Sequence, residues 1–291
     1  MQKTKVVHLT IVHKRYDSRI FCKECISLSE AGYDVSLIVA DGLGNETKQG
    51  VKIIDVGRAE ASRIKRMIRT SRKAVDLALG MNADIYHFHD PDLLIEALRL
   101  RKKACVIFDS HEDFPALMKQ RDYIPDFARK VLFRLCTLIE QYSAKRLSAV
   151  VCATETIQDK FARYGNIRAV VVKNYPVFSS CESETTNSYD TTKPVCYVGG
   201  LTALRGVKEM VEACNKAGVK LLLAGEFDNQ AYFEQIKAMP EWRNVEFLGY
   251  VPTSQVREKV YNRSSVGLVL LHKAPNHTHS IPIKQLEYMQ A

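Results

Sequence analysis

Two short segments of the chain carry residues that could bind a phosphorylated ligand. In the first, Gly199 and Gly200 follow a predicted strand, and Arg205 comes just before the next predicted helix. Glycines at such a turn let a ligand approach the backbone, and the N-terminus of the following helix attracts phosphate. An arginine there can clamp a diphosphate with paired hydrogen bonds. A tight strand-to-helix turn without a ligand has the same pattern, so both interpretations stay open.

The second segment is the end of the chain, where a helix is predicted to begin near Pro282. Lys284 and Glu287 lie one turn apart on the same face of this helix. A polar, proline-bearing loop at residues 274–280 precedes it. The carboxylate of Glu287 could hold both hydroxyls of a ribose and Lys284 could neutralise a phosphate, although a surface ion pair has the same spacing. Together the two segments suggest a site for a nucleotide sugar.

Three polar clusters in the first half of the chain follow predicted strands, at residues 13–19, 87–92 and 109–113. Ligands of open α/β folds bind outside the carboxyl ends of the strands, so these clusters predict a cleft. Histidines and aspartates could form a metal site, but Asp90 and Asp92 are equally explained as helix N-caps. We favour a cleft that binds the hydroxyls of a sugar acceptor and assign no metal. Its expected residues are Asp17, Arg19, His89 and Asp90.

Short apolar strands alternate with helices along the chain, which predicts parallel sheets covered on both faces. The pattern breaks at a polar, Ser/Thr-rich stretch and then restarts. The predicted fold class is therefore α/β, with two Rossmann-like, doubly wound domains. Residues 1–178 form the first, residues 179–193 a linker or mobile loop, and residues 194–291 the second. The expected strands are 4–12, 33–40, 51–56, 84–89, 104–109, 149–153, 169–172, 194–198, 220–225, 245–249 and 265–270.

Composition is that of an ordinary globular protein, with 291 residues, 46% hydrophobic and 26% charged. No apolar run approaches the roughly 18 residues of a membrane span, and the N-terminus reads as a first strand rather than a signal peptide. These features favour a cytoplasmic protein. Eight cysteines fit that expectation, and the single CxxC pair, Cys22 and Cys25, lacks the second ligand pair that a zinc site needs.

Much of the net charge of +9 is concentrated in residues 58–73, which hold seven cations and one acid. Ile64, Met67 and Ile68 recur there at helical spacing, which predicts a basic amphipathic helix. Such a helix could lie on an anionic membrane surface, with the protein peripheral to the inner face. A solvated helix whose apolar stripe packs on the core is the alternative. We expect no nucleic-acid partner, because no recognised binding motif is present.

In order and spacing, these segments resemble the glycosyltransferase family 4 pattern on a GT-B fold. The resemblance implies a retaining, metal-independent transfer of a sugar from a nucleotide-diphosphate donor on the second domain to an acceptor on the first. It implies no cofactor. A glycan or lipid-linked acceptor in bacterial cell-surface polysaccharide synthesis suits the basic segment. The matching motifs lie at residues 13–24, 31–35, 87–90, 109–112, 174–176, 198–206, 224–225, 248–251 and 282–289.

The resemblance also assigns roles to single residues. His111 matches the active-site histidine near the transferred sugar, and Arg205 the basic residue on the donor diphosphate. Glu287 matches the second glutamate of the family's paired-glutamate motif, the one expected on the ribose. His279 stands where the first glutamate of that motif is usual. Gly200 occupies the position of a frequent second arginine, for which Lys284 is the expected substitute.

The family usually continues beyond the point where this sequence ends, with another strand and helices. The second domain is therefore expected to be incomplete. Two other functions stay open at this stage. One is a non-catalytic GT-B partner subunit, and the other is a nucleotide-sugar 2-epimerase, which would need no acceptor.

Overall fold

The computed structural model describes residues 3–118, 124–176, 192–273 and 282–291. The chain divides into two compact units, Met1–Asn174 and Tyr175–Ala291. Each unit has its own sheet and its own buried core.

Unit 1 contains an eight-stranded sheet in the order β3-β4-β2-β1-β5-β6-β7-β8. All neighbouring strands are parallel except β3, which runs antiparallel to β4. The strands are β1 (Lys5–Leu9), β2 (Asp34–Val39), β3 (Glu46–Lys48), β4 (Val51–Asp55), β5 (Ile85–Phe88), β6 (Cys105–Ser110), β7 (Ala149–Cys152) and β8 (Ala169–Val171).

The central strands are apolar because both of their faces are buried. In β2, Val35, Leu37 and Val39 join one core cluster, whereas Ile38 joins the cluster on the opposite face. Alternate side chains of a strand point to opposite faces, so a continuous apolar run is what a doubly covered sheet requires. This confirms the prediction of a parallel sheet covered on both sides.

The helices of unit 1 are shorter and less regular than the sequence predicts. The segment expected as one helix at 18–32 begins with a π-helical stretch, Ile20–Cys25, and the segment at 91–101 consists of two 3₁₀ stretches, Pro91–Leu93 and Glu96–Lys102. A further π-helical stretch, Arg66–Thr70, interrupts the basic segment. The α-helices are α1 (Ile26–Glu30), α2 (Arg63–Lys65), α3 (Ser71–Met81), α4 (Phe114–Leu117), α5 (Asp126–Ala144) and α6 (Glu155–Arg163).

The strand order places a topological switch point between β1 and β5. Strand β1 is followed by β2 on one side of the sheet, and the chain later returns to β5 on its other side. Connections that leave in opposite directions open a crevice at the carboxyl ends of the two strands, where ligands of such sheets bind. The polar clusters that follow β1, β5 and β6 therefore lie at neighbouring strand ends.

Unit 2 contains a four-stranded parallel sheet in the order β11-β10-β9-β12. Its strands are β9 (Val195–Val198), β10 (Leu221–Ala224), β11 (Val245–Gly249) and β12 (Val266–Gly267), the last shorter than predicted. Its helices are α7 (Val207–Lys216), α8 (Gln230–Lys237), α9 (Thr253–Lys259) and α10 (Ile283–Gln290). The two parallel sheets confirm the predicted α/β class.

The basic segment at residues 58–73 becomes helical only from Arg63. Ile64 and Ile68 are 71% and 61% exposed, while Ala74 and Val75 are buried. The buried face therefore begins at Thr70, near the end of the segment, whereas Ile64 and Ile68 face solvent. No helix in the described part of the chain is both long enough and apolar enough to cross a bilayer.

Candidate active site

In unit 1, the carboxylate of Asp109 at the end of β6 joins three of the predicted site residues. His111 Nε2 lies 2.9 Å from Asp109 Oδ2, and His89 Nδ1 lies 3.2 Å from the same oxygen. Arg19 donates from Nε and Nη2 to the two carboxylate oxygens, at 2.8 Å each. Residues separated by up to 90 positions thus converge on one buried carboxylate.

Hydrogen bonds decide the protonation state of this carboxylate. Burial alone would raise the pKa of Asp109, but hydrogen bonds from His111, His89 and Arg19 hold the pKa well below its usual range. An ionised carboxylate only accepts, so His111 must donate from Nε2. In the neutral form of His111 the Nδ1 atom then has a lone pair, which can accept a hydrogen bond from a ligand hydroxyl.

His111 is the member of this cluster that reaches solvent. Its side chain is 19% exposed, whereas the side chains of Asp109 and His89 are fully buried. It follows β6 directly, and α4 begins three residues later, with Asp113 capping that helix. His111 therefore stands on a fixed strand end, at a position where a sugar could contact it.

Asp90 does not act as the helix N-cap that the sequence allowed. Its carboxylate accepts hydrogen bonds from the Thr10 hydroxyl and the backbone N–H of Ile11, and it makes no capping hydrogen bond to the 3₁₀ stretch that follows. It thereby ties the end of β5 to the end of β1. Asp92 is no N-cap either, because Arg63 and Arg66 hold its carboxylate.

His13 and Asp17 line the more open side of the cluster. His13 lies 3.5 Å from Asp17 and, through its other nitrogen, 3.5 Å from Asp90. Burial would lower the pKa of His13, but the hydrogen bond to Asp17 and the charge of Asp90 raise it. Asp17 also accepts from the backbone N–H groups of Arg19 and Ile20, so it fixes the start of the π-helical stretch.

The four predicted acceptor-side residues therefore differ in position. The structure brings Asp17, Arg19, His89 and Asp90 to one region, but the last three are almost completely buried. A buried side chain can orient an exposed neighbour without touching the ligand. Direct acceptor contact stays a prediction for all four, and Asp17 is the one best exposed to make it.

Beneath this cluster lie three further residues: His8 on β1, His87 on β5, and Glu24 in the π-helical stretch Ile20–Cys25. His87 belongs to the predicted polar cluster at residues 87–92, whereas His8 and Glu24 were not predicted as site residues. Glu24 Oε2 lies 3.9, 3.8 and 3.9 Å from nitrogens of His8, His87 and His89. Burial lowers the pKa of His87 and of His89 to about 3 and raises the pKa of Glu24 to about 9. The sequence signal was a histidine in the middle of an apolar strand.

Metal-ligating side chains come together here in two groups of the described residues. One comprises His8, Glu24, His87 and His89, and the other His89, Asp109 and His111. Within each group, one ligand atom per residue lies within 4.8 Å of the others.

In unit 2, the glycine turn after β9 is built from close backbone contacts. Gly199 and Gly225 have φ values of +150° and +149°, a region that favours glycine. A Cβ on Gly225 would lie 1.8 Å from the carbonyl oxygen of Gly199, and one on Gly199 would lie 3.4 Å from Arg205 Nη1. The Arg205 guanidinium therefore lies against the turn. It forms no ion pair within the described residues.

The final helix lies against the same strand. The backbone N–H of Val198 donates to the Tyr288 hydroxyl at 3.0 Å, one residue before Gly199. The ring of Tyr288 packs directly on Gly267 of β12. The structure therefore places α10, which carries Lys284 and Glu287, beside the glycine turn.

Glu287 and Lys284 bind each other in this arrangement. Lys284 Nζ lies 2.7 Å from Glu287 Oε2, which also accepts from the Tyr261 hydroxyl at 3.2 Å. Both side chains remain partly exposed. Their roles on phosphate and ribose, like those of Gly199, Gly200 and Arg205, stay predictions. His279 lies outside the described residues.

Solved structures similar to this chain are glycosyl-transferring enzymes. Sucrose-phosphate synthase of Thermosynechococcus elongatus superposes with a TM-score of 0.69 at 14% identity, covering 99% of this chain and 79% of that chain. WaaG, a glycosyltransferase involved in lipopolysaccharide biosynthesis, has a TM-score of 0.70 at 11% identity, with coverage of 98% and 78%. Anabaena HepE in complex with UDP-glucose has a TM-score of 0.63 at 12% identity, with coverage of 94% and 75%. At these identities the likeness shows the GT-B fold.

A search of curated protein sequences found no match. The model of Glycosyltransferase Family 4, however, matches residues 23–174, slightly more than half of the chain. The match includes the strand ends that carry His89, Asp90, Asp109 and His111. This chain therefore belongs to glycosyltransferase family 4 and is a glycosyltransferase of the GT-B type.

Proposed function

We propose that this glycosyltransferase moves a sugar from a nucleotide-diphosphate donor to a glycan or lipid-linked acceptor, with retention of anomeric configuration and without a metal ion at the diphosphate. The observation that carries the donor part is the turn of unit 2, where the Arg205 guanidinium lies against Gly199. The turn exposes backbone to a ligand, and the cation beside it has no acid to neutralise it among the described residues.

A leaving nucleoside diphosphate gains negative charge as the glycosidic bond breaks. A fixed guanidinium stabilises that charge most where water is excluded, because the local dielectric is low. Arg205 is assigned this task, and Lys284 assists from α10 when a phosphate competes for it with Glu287. The carboxylate of Glu287 then accepts from the ribose hydroxyls in place of Lys284.

His111 is assigned to the sugar side of the reaction. Its Nε2–H is held by Asp109, so its Nδ1 lone pair can accept from a sugar hydroxyl and orient the ring. Asp109 is fixed in turn by both guanidinium hydrogen bonds from Arg19. A rigid hydrogen-bond acceptor of this kind favours one position of the transferred sugar and leaves little room for reorganisation.

The similar structures support the general class of donor and pathway. HepE has been solved in complex with UDP and with UDP-glucose, WaaG acts in lipopolysaccharide biosynthesis, and WaaB is a lipopolysaccharide outer core galactosyltransferase. They favour a nucleotide-sugar donor and a role in bacterial polysaccharide synthesis for this chain as well.

We place the acceptor at an anionic membrane surface on the cytoplasmic side. Ile64 and Ile68 face solvent one helical turn apart, next to the exposed Lys65, Arg69 and Arg72. Apolar side chains that insert at the headgroup boundary, flanked by cations, give a helix affinity for anionic lipids. The stripe is separate from the cations Arg63 and Arg66, which bind Asp92.

Vesicle binding tests this placement. The protein should sediment with anionic vesicles at low salt, and the double substitution Ile64→Asp and Ile68→Asp should abolish sedimentation. Leu43→Asp is the matched control, because Leu43 is equally exposed at 72% but lies outside the basic segment. Equal sedimentation of the double variant and the control would rule out this stripe as the contact.

Calorimetric titration with UDP, GDP and their sugar conjugates tests the donor assignment. Arg205→Ala should weaken binding of the preferred nucleotide by about tenfold or more, because a buried diphosphate loses a charge-assisted hydrogen bond. The control is Arg263→Ala, which removes an arginine of unit 2 that pairs with Glu246. Unchanged donor affinity in Arg205→Ala would refute the assignment of the turn.

A further inference from the structure

We propose that His8, Glu24, His87 and His89 form a binding site for a divalent transition-metal ion of the zinc type. The site lies inside unit 1, below the carboxyl ends of β1 and β5, and three histidines with one carboxylate form its ligand set. It is distinct from the donor site, and its role is structural.

The spacing of the four side chains fits a tetrahedral ion. His8 Nδ1 lies 3.0 Å from His89 Nε2, and Glu24 Oε2 lies 3.9 Å from His8 Nδ1, 3.8 Å from His87 Nδ1 and 3.9 Å from His89 Nε2. Zinc bonds of about 2.0–2.1 Å place tetrahedral ligand atoms about 3.4 Å apart. The four distances differ from that value by about half an ångström or less, and the ligand atoms of all four residues lie within 4.8 Å of one another.

The cluster is also poorly satisfied by protein groups alone. Glu24 Oε2, His8 Nε2 and His87 Nε2 are buried without a hydrogen-bond partner in the part of the chain that the structure describes, and the other oxygen of Glu24, Oε1, makes no hydrogen bond but lies 3.1 Å from Arg19 Nε. The hydrogen bond between His8 and His89 joins His8 Nδ1 to His89 Nε2, so it gives none of these atoms a partner. Buried polar groups without partners are costly and rare. Glu24 Oε2 is the one of these atoms that faces the histidine nitrogens, and a bound ion would give it a partner.

The orientation of His89 is the one that metal-binding histidines have. Its Nδ1 lies 3.2 Å from Asp109 Oδ2 and donates to that carboxylate, which leaves the lone pair on Nε2. The Nε2 atom faces His8 and Glu24. A carboxylate that holds the outer nitrogen of a histidine fixes its tautomer and strengthens it as a metal ligand.

The chemistry of the ligands selects the class of ion. Imidazole and carboxylate groups suit zinc and its neighbours in the first transition row, whereas magnesium and calcium prefer oxygen ligands throughout. His8, His87 and His89 are each less than a tenth exposed. The ion would therefore not meet substrate; it would join β1, β5 and the π-helical stretch Ile20–Cys25, and so hold Arg19 and Asp109 in position.

Metal analysis of the full chain tests the proposal. The chain is stripped with a chelator, incubated with ZnSO₄ or CoCl₂, desalted, and measured for metal content and visible absorption. We expect one ion per chain, the d–d bands of tetrahedral Co²⁺, and a higher unfolding temperature with zinc but not with MgCl₂. Titration of the metal-free chain with nucleotide measures donor binding separately from metal binding.

Variants locate the ion. Glu24→Gln and His87→Asn should each weaken zinc binding at least about tenfold, while each variant's folding is checked by circular dichroism. His272→Asn, an exposed histidine of unit 2, should bind zinc as the wild type does. Absence of stoichiometric zinc and cobalt in the wild type, or unchanged binding in both cluster variants, would overturn the proposal.

Discussion

The polar sites of the two units are built in opposite ways. In unit 1, Asp109, His89 and Arg19 are buried and saturate one another with hydrogen bonds, so that only the edge of the network is open. In unit 2, Arg205 lies at a glycine turn, and Lys284 and Glu287 are partly exposed on a final helix. The first arrangement fixes the positions of its side chains, whereas the second leaves charged side chains able to exchange partners.

The difference shows that burial determines whether a residue of a given type stabilises the fold or is available to a ligand. Arg19 is buried and stabilises unit 1 through Asp109. Arg205 is instead a candidate phosphate ligand. A buried ion pair loses much stability when one partner is removed, because the other charge is left without compensation. A half-exposed charge at a turn can be removed with little effect on folding, and its loss should appear in ligand affinity.

The largest effect is expected for Arg19→Ala. It leaves the Asp109 carboxylate buried without its bidentate partner, so unit 1 should lose about 3–5 kcal/mol of unfolding free energy. Trp242 is the single tryptophan of the chain and belongs to unit 2. Its fluorescence should therefore show an unchanged unfolding transition for unit 2, while circular dichroism shows that unit 1 unfolds earlier than in the wild type.

Arg99→Ala serves as the control for that experiment. Arg99 is an exposed arginine of unit 1 that pairs with Asp76 and Glu96. Its removal should cost less than about 1 kcal/mol, as for surface ion pairs in general. Equal losses in the two variants would mean that the Arg19 pair does not brace the site.

The next effect concerns the backbone of unit 2. A methyl group on Gly225 would collide with the carbonyl of Gly199, which cannot move without displacing the turn. Gly225→Ala should therefore destabilise unit 2 by about 2–4 kcal/mol, from left-handed strain together with overpacking, and abolish donor binding. The measurement is denaturant unfolding followed by Trp242 fluorescence, with nucleotide titration alongside.

Gly218→Ala tests the effect of backbone strain without a steric clash. Gly218 also has a positive φ, +69°, but a Cβ there meets no atom within 4 Å. It should cost about 1 kcal/mol and leave donor affinity intact. If it disturbed nucleotide binding as much as Gly225→Ala, the close contact at the turn would not explain the effect.

The smallest effect is a pH dependence at the open edge of the unit 1 site. Burial opposes the charge of Asp17, but hydrogen bonds from His13 and from the backbone N–H groups of Ile20 and Arg19 hold its pKa well below the ordinary value. The carboxylate therefore stabilises the fold above pH of about 4, the pKa in unfolded chains, and this stabilisation disappears as the pH falls through the folded pKa.

Asp17→Asn should cost about 1 kcal/mol of unfolding free energy at neutral pH, since a hydrogen bond to an ionised acceptor is lost. The gap to the wild type should narrow as the solution is acidified. Chemical denaturation at several pH values measures both curves. A gap that is constant with pH would show that the ionisation of Asp17 does not stabilise unit 1.

The sequence predicted the strands well, because buried parallel strands are continuous apolar runs. Strand β3 was missed, since Glu46, Thr47 and Lys48 are polar and pair only at the sheet edge. The basic segment was predicted as a helix, and the sequence left open whether its apolar stripe packs on the core or faces outward. Helical periodicity shows that a face is apolar without showing what covers it.

The site was predicted in part for the same reason. His111, Asp90 and Arg205 were predicted as site residues because they follow strands, where a local rule places ligands, and their roles stay predictions. His8 and Glu24 were missed, because only the pairing of β1 with β5 brings His8 opposite His87. Asp92 pairs with Arg63 and Arg66, and this pairing is likewise set by tertiary contact. No short-range pattern in the sequence encodes it.

Hydrogen exchange measured by mass spectrometry, with and without the preferred nucleotide sugar, determines whether the donor binds unit 2. We expect added protection at residues 198–207 and 283–290 of unit 2, because the donor contacts the glycine turn, Arg205 and the final helix. The buried network around Asp109 should be protected already and change little. Protection confined to the strand ends of unit 1, with none at the turn, would contradict the assignment of the donor to unit 2.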